Sequence, residues 1–268
     1  MVTQQEVFDF FARNGIEPHH KVTMHTSLRA LGPIENGADG LIDAMKAYLS
    51  APGGMLLIPT HTWANVNKDQ PVFDVRSTVS CIGTMAQVAA KRRDGVRSLH
   101  PTHSVMAFGQ GAEEFIRGEE NSTTPAPVSG WLNRMYEEGG KILLVGVGHG
   151  RNTYMHAVEE RLNISNRISE DAFVPRIIDR DGREIIGQPF HPHETKGITE
   201  WLSDFYPNFK AAFEYTGAVH YDRLGQALVY VCDARKIADT MKLIWSKADH
   251  DLCLQHKDVP EEYYKAQE

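Results

Sequence analysis

The sequence predicts an α/β fold: a mainly parallel central sheet flanked by helices, with an antiparallel C-terminal extension. Three observations carry that expectation. Apolar runs of strand length, such as "MLLIP" and "ILLVGV", are bounded by glycine or proline. Segments of helical period lie between them, the alternation that builds parallel sheets. After about Ala172 the runs shorten, and Asp181-Gly182 stands between apolar runs in "IIDRDGREII", a hairpin signature. With 268 residues the chain can bury one large core, and we read residues 1–268 as one domain, with residues 172–235 as the antiparallel extension within it.

The elements follow in order. Residues 3–14 mix acidic and polar side chains into an apolar pattern and predict an amphipathic helix, not a secretory signal. "KVTMHTSL" is a short strand entering a glycine-bearing loop, and a helix starts near Asp39 and ends at "APGG". "GMLLIPTHTW" reads as a buried strand by its length and its flanks. A loop from Ala64 to Ser80, a helix in "IGTMAQVAAKRR", the turn "RSLHPTHS", the strand "VMAFG" and a helix after Ala112 come next. The long loop "GEENSTTPAPVSG" leads to a helix in "GWLNRMYEEGG", which feeds a strand at Ile142 to Val147 and the helix behind it. "LGQALVYVCDA" is strand-like, and the last dozen residues read as a helical or frayed tail.

Composition narrows the function. Hydrophobic residues make up 41% of the chain and charged residues 24%, and no apolar stretch approaches the ~20 residues a membrane helix requires. A cytoplasmic protein is expected. Cys81, Cys232 and Cys253 are odd in number and widely spaced, against a disulfide framework or a paired-cysteine zinc knuckle. A net charge of -7, from 28 basic and 35 acidic side chains, offers no footprint for nucleic acid and fits a cationic or neutral small molecule better.

Three polar clusters follow apolar strands or precede them. In "KILLVGVGHGRNTYMHAVEE" a strand ends in glycines, Asn152 is suited to cap a helix, and His156 shares a helix face with Glu159 and Glu160. A carboxylate beside an imidazole favours its charged form and fixes its tautomer, as a general base requires. The same residues also suit a solvated helix start, with acids favoured by its dipole. The metal reading is weaker, because the histidines are seven apart and no HExxH is present. "VTMHTSLRALG" sets His25, Thr26 and Ser27 at a strand's carboxyl end, where open α/β sheets bind ligands. "RSLHPTHSVMAFG" joins His100, His103 and Ser104 to another strand. No phosphate-cradling glycine loop and no GxSxG nucleophile elbow occur.

Together the strings "MHTSLRALGPIENGADGLIDAM", "GGMLLIPTHTW", "FDVRSTVSCIGTMAQVAAKRRDGVRSLHPTHSVMAFG" and "KILLVGVGHGRNTYMHAVEE", in this order, resemble the aminoglycoside 3-N-acetyltransferase family of antibiotic N-acetyltransferases. The likeness runs from about residue 20 to 165 and resumes loosely at "TGAVHYDRLGQALVYVCDARKIAD". It implies transfer of acetyl from acetyl-CoA to a small-molecule amine without a metal, and so antibiotic resistance. By resemblance His156 is the general base, with Glu159 after it in the Asn-Thr-x-x-His-x-x-Glu motif. The His25, Thr26, Ser27, Leu28 turn lies against the pantetheine and acetyl end of CoA, Thr26 or Ser27 stabilises the oxyanion, and Ser104 and Val105 line the same channel. Asp74 matches an acidic position that faces cationic substrate.

In one place the chain departs from the family. Where relatives carry carboxylates, "GQPFHPHETKG" has His191 and His193, which suggests substrate contacts to a different amine. The alternatives are therefore an N-acyltransferase for a less cationic amine, a zinc-dependent amide hydrolase using His156 with His191 and His193, and a CoA-binding protein without transfer activity.

Overall fold

Three apolar strands that must be buried on both faces form the centre of the fold: β1 (Lys21–Thr26), β2 (Met55–Pro59) and β6 (Lys141–Val145). The computed structural model describes residues 1–194, 201–255 and 257–266. The other strands are β3 (Val72–Asp74), β4 (Val96–Arg97), β5 (Val105–Phe108), β7 (Arg176–Ile178), β8 (Glu184–Ile186), β9 (Val219–Leu224) and β10 (Ala227–Asp233). The main sheet has the order β4-β5-β2-β1-β6-β10-β9.

The expected mainly parallel sheet is corrected to a mixed one. β1 runs parallel to β2 and β6, but β5 against β2, β4 against β5, β10 against β6 and β9 against β10 are all antiparallel. A strand buried on both faces reads as the same apolar run whichever way it points, so its direction is not written in its residues. The hairpin around Asp181-Gly182 is present as β7–β8, with a five-residue connection from Asp179 to Arg183. It joins β3 in a separate three-stranded sheet.

Helices α1 (Gln4–Arg13), α2 (Leu28–Leu31), α3 (Gly37–Tyr48) and α4 (Thr84–Lys91) precede α5 (Ala112–Phe115), α6 (Trp131–Glu137), α7 (Tyr154–Arg161), α8 (Lys210–Tyr215) and α9 (Ala234–Lys247). Strand alternation sorts them into two layers. Val22, Met24, Leu56, Ile58, Leu143 and Val145 face a core made with Phe10 and Phe11 of α1, Ile42 and Met45 of α3 and Met85 of α4. Met55, Leu57, Ile142 and Leu144 face the opposite core, with Trp131 of α6, Met155 and Val158 of α7, Phe213 of α8 and Ile237 and Met241 of α9. His25 alternates with Met24 and so points into the layer that contains α7. The C-terminal stretch is anchored and not frayed at Val259 and Tyr264, which are buried in that second core. Among the described residues no helix is long and apolar enough to cross a membrane.

Candidate active site

The carboxyl ends of the three parallel strands lie side by side and deliver the polar clusters to one region: His25 and Thr26 from β1, Thr60 and His61 after β2, and Gly146 onward after β6. Gly146 is required at its position. Its φ is +64°, and a Cβ there would lie 2.3 Å from the Ala30 side chain. The chain then turns through His149–Arg151 into α7.

Asn152 does not cap that helix. The residue before α7 is Thr153, and the Asn152 side chain is buried with neither amide atom hydrogen-bonded. The turn that places His149 ahead of α7 carries Asn152 inward instead. His149 is also buried, against Phe213 and Tyr230, away from the residues that surround His156.

His156 and Glu159 share a face of α7, as their spacing requires, yet the imidazole Nδ1 is 3.6 Å from Glu159 Oε2. Tyr206, from the 3-10 segment Leu202–Phe209, fills the gap. Its hydroxyl donates to Glu159 Oε2 at 2.6 Å and lies 2.6 Å from His156 Nδ1. An oxygen whose proton is committed to the carboxylate accepts from Nδ1–H, which leaves Nε2 of His156 with its lone pair. Burial works against the charge of Glu159, but His156, the Arg167 guanidinium and the Tyr206 hydroxyl outweigh it and hold the carboxyl at about 2. Burial, followed by the nearby His193, lowers His156 to about 4 against the raising effect of Glu159 and Glu160, so the imidazole is neutral at pH 7.

Further imidazoles continue from His156. His193 stacks on it with ring centres 4.2 Å apart, His103 lies 5.5 Å from His193, and His61 lies 4.5 Å from His103. His61 is also within electrostatic reach of His25, so the row connects the β1 turn to α7. Glu160 holds His193 Nε2 at 3.3 Å while accepting from Thr124 and from the Ala126 N–H.

On the β1 side, Met24, His25, Thr26, Ile58, Pro59, Ile82, Met85, Ala86, Val147 and Arg151 line a narrow cleft. Thr26 Oγ1 is buried without a hydrogen-bond partner, and so is His25 Nε2, which belongs to the face of β1 turned toward α7. A narrow cleft lined by apolar side chains together with His25, Thr26 and Arg151 suits an acyl-thioester arm. Ser27 and Leu28 begin the next turn, half-buried beside this cleft in sequence. Ser104 and Val105 are not brought to it. Both are fully buried, and the Ser104 hydroxyl donates to the Thr60 carbonyl inside a network with Arg97.

The remaining candidates lie elsewhere. Both oxygens of Asp74 are taken by Arg76, through Nε to Oδ1 at 3.0 Å and Nη2 to Oδ2 at 2.9 Å. His191 Nδ1 is bonded to the Ser169 carbonyl at 2.9 Å, so of the two loop histidines it is His193 that meets His156. Residues 195–197 of the "GQPFHPHETKG" stretch lie outside the described residues. Among the described residues no group of three or more histidine, cysteine or acidic side chains is placed to hold a metal. Sequence reasoning missed Tyr206, His61 and Arg167. Only His61, in "PTHTW" at a strand's carboxyl end, carried a signal of the kind that marked His25.

The family model described as aminoglycoside 3-N-acetyltransferase matches residues 23–245. Aminoglycoside N(3)-acetyltransferase IV of Salmonella sp. is 34% identical over 146 residues, covering 54% of this chain and 54% of that protein, so the match spans about half of that relative's length. Aminoglycoside N(3)-acetyltransferase III of Salmonella sp. is 24% identical over 260 residues, covering 88% of this chain and 89% of the relative. Among solved structures, AAC-IIIb in a binary complex with CoASH superposes with a TM-score of 0.75 at 19% identity, over 93% of this chain and 98% of that one.

Proposed function

Because the chain belongs to the aminoglycoside 3-N-acetyltransferase family, we propose that it is an acyltransferase that moves acetyl from acetyl-CoA to an amine of an aminoglycoside-type acceptor, with His156 as general base. Residues 1–268 act in this reading as one cytoplasmic domain that confers resistance by modifying the drug. The observation that carries it is the Tyr206 hydroxyl between His156 Nδ1 and Glu159 Oε2, because it leaves Nε2 free to take a proton.

An ammonium has no lone pair and cannot attack a thioester. His156 Nε2 removes one proton, the neutral nitrogen bonds to the acetyl carbon, and the carbon–sulfur bond breaks with the thiolate as leaving group, which takes up the second proton that the nitrogen sheds to give the amide and free CoA thiol; His156 then returns its proton to solvent. Glu159, ionised and joined through Tyr206, stabilises the imidazolium. The carbonyl oxygen gains negative charge during attack, and the unpartnered hydroxyl of Thr26, a residue that lines the cleft, is the donor we assign to it, with neighbouring His25, Ser27 and Leu28 shaping the acyl end. The family membership and the CoA complex of AAC-IIIb support acetyl-CoA as the donor.

A second acceptor class is favoured by one observation. Asp74 is neutralised by Arg76, Glu159 by Arg167, and Glu160 is engaged by Thr124, Ala126 and His193, so these three carboxylates already have partners. Such a site suits a less cationic amine than a polyamine sugar. The zinc hydrolase finds no comparable support, since stacked His156 and His193 rings do not converge on one point with His191.

Thiol release from acetyl-CoA, measured against aminoglycosides and simple primary amines, decides the acceptor. His156→Ala is expected to lower kcat by about 10²–10⁴-fold while the KM for acetyl-CoA stays nearly constant. Near-normal turnover by that variant at pH 7 would remove the base assignment.

A further inference from the structure

Glu159 is held from two sides. Its Oε2 accepts from Tyr206, and its Oε1 accepts from Arg167 Nε at 2.9 Å, with both charged side chains 1% exposed. Arg167 gives both nitrogens of its remaining fork to Asp251, Nη1 to Oδ2 at 2.8 Å and Nη2 to Oδ1 at 2.8 Å, and Nη1 also donates to the neutral Asn166 Oδ1. Asp251 in turn accepts from the Cys253 N–H at 3.1 Å and from Asn166 Nδ2 at 3.2 Å, capping the 3-10 turn Leu252–Leu254. That turn lies beyond residue 245, where the family match ends.

Two consequences follow from this arrangement. The first is charge: one guanidinium against the carboxylates of Glu159 and Asp251 leaves the cluster with one net negative charge, whereas Arg167 and Glu159 alone would sum to zero. The second is direction. A planar guanidinium favours two parallel bonds to one carboxylate, so an Arg167 that had lost Asp251 would turn its fork onto Glu159 and draw Oε2 away from Tyr206.

We propose that Asp251 is a positioning residue for proton transfer: by engaging Arg167 it keeps Glu159 aligned on Tyr206 and supplies the net negative charge that offsets the imidazolium forming at His156. This rests on His156 being the base. The other groups around the imidazole are accounted for. His193 stacks on it and is bonded to Glu160, His61 and His103 lie within electrostatic reach, and the Cys253 thiol sits 3.5 Å from Glu159 Oε1, kept neutral by burial and by that carboxylate. None of these touches Arg167's outer fork; of the two side chains that do, Asn166 is neutral and accepts from Nη1 alone, so Asp251 is the one that supplies charge and engages both nitrogens.

The test is Asp251→Asn, which keeps the shape and removes the charge. Nitrogen-15 NMR of the imidazoles at neutral pH, without substrates, is expected to show His156 as the Nδ1–H tautomer in the wild type and as a tautomer mixture in Asp251→Asn. With acetyl-CoA and kanamycin as probes, kcat is expected to fall about tenfold, equivalent to one pKa unit of base strength, with the acetyl-CoA KM unchanged and the acid limb of the pH profile moved to lower pH. Asp251→Glu should recover part of the loss. An Asp251→Asn protein whose His156 tautomer is unchanged overturns the proposal, whether its kcat is retained or is lost together with thermal stability. A His156→Ala protein that still turns over overturns the base assignment instead, so the two failures are distinguishable.

Discussion

Tyr206 has one hydroxyl for two neighbours, and the order in which it serves them fixes the chemistry of the third group. Its proton goes to Glu159, its oxygen takes Nδ1–H of His156, and the opposite nitrogen is thereby left unprotonated. Tyr206→Phe removes the oxygen and nothing else of size. Nδ1–H then loses its acceptor in a buried place, which costs about 1–3 kcal/mol, and the imidazole can turn or change tautomer. The expected result is a kcat lowered by about tenfold or more at an unchanged acetyl-CoA KM, measured by thiol release, together with loss of the single His156 tautomer. Equal kcat in the two proteins would show that Glu159 acts without the phenol. His156 and Glu159 were legible in the sequence because a spacing of three on one helix is a local rule. Tyr206 joins them from 50 positions away and Asp251 joins Arg167 from 84, and no local pattern announces a hydrogen bond of that span.

The elements show where sequence reading holds and where it stops. β1, β2 and β6, with α1, α3, α4, α6 and α7 around them, were legible from run length and from their glycine and proline boundaries, whereas α8 and α9 were not read. β5 and β10 were legible as strands but not in direction, which depends on how each connection crosses the sheet, and the two-residue β4 and the half-exposed β9 were not read as strands at all. The end of β6 is the most constrained joint. Gly146 combines a left-handed backbone with a close approach to α2 at Ala30. Gly146→Ala is expected to destabilise the protein by about 1–3 kcal/mol, read from the urea midpoint. Because α2 directly follows His25, Thr26 and Ser27, the KM for acetyl-CoA should rise with it. Adding Ala30→Gly should recover the steric share but not the backbone share, and full recovery would show that the φ carries no strain.

At the scale of the molecule, the buried imidazoles set the acid limit of stability. Burial lowers His25, His100, His149 and His156 to about 4 and places His61 and His103 well below 6.5. An unfolded chain protonates these six side chains below about pH 6.5, while in the folded chain His25, His100, His149 and His156 exclude the proton until about pH 4, and burial holds His61 and His103 well below their ordinary range. Between those limits the unfolded state binds more protons, so stability falls as pH falls, by about 1.4 kcal/mol per pH unit for each imidazole. Chemical denaturation from pH 7.5 to 5 should therefore show a steep loss of folding free energy, and a flat profile would mean that the histidines are solvated. The sheet order also bears on how the protein is made. β6 lies between β1 and β10, and β10 is formed by residues 227–233 near the far end of the chain. A ribosome that has released "KILLV" still has to synthesise the strand that covers its outer edge, a delay on the order of ten seconds at ordinary elongation rates. For that time an apolar strand presents unpaired N–H and C=O groups to any passing chain, so the yield of soluble protein depends on how quickly translation and chaperones close the interval.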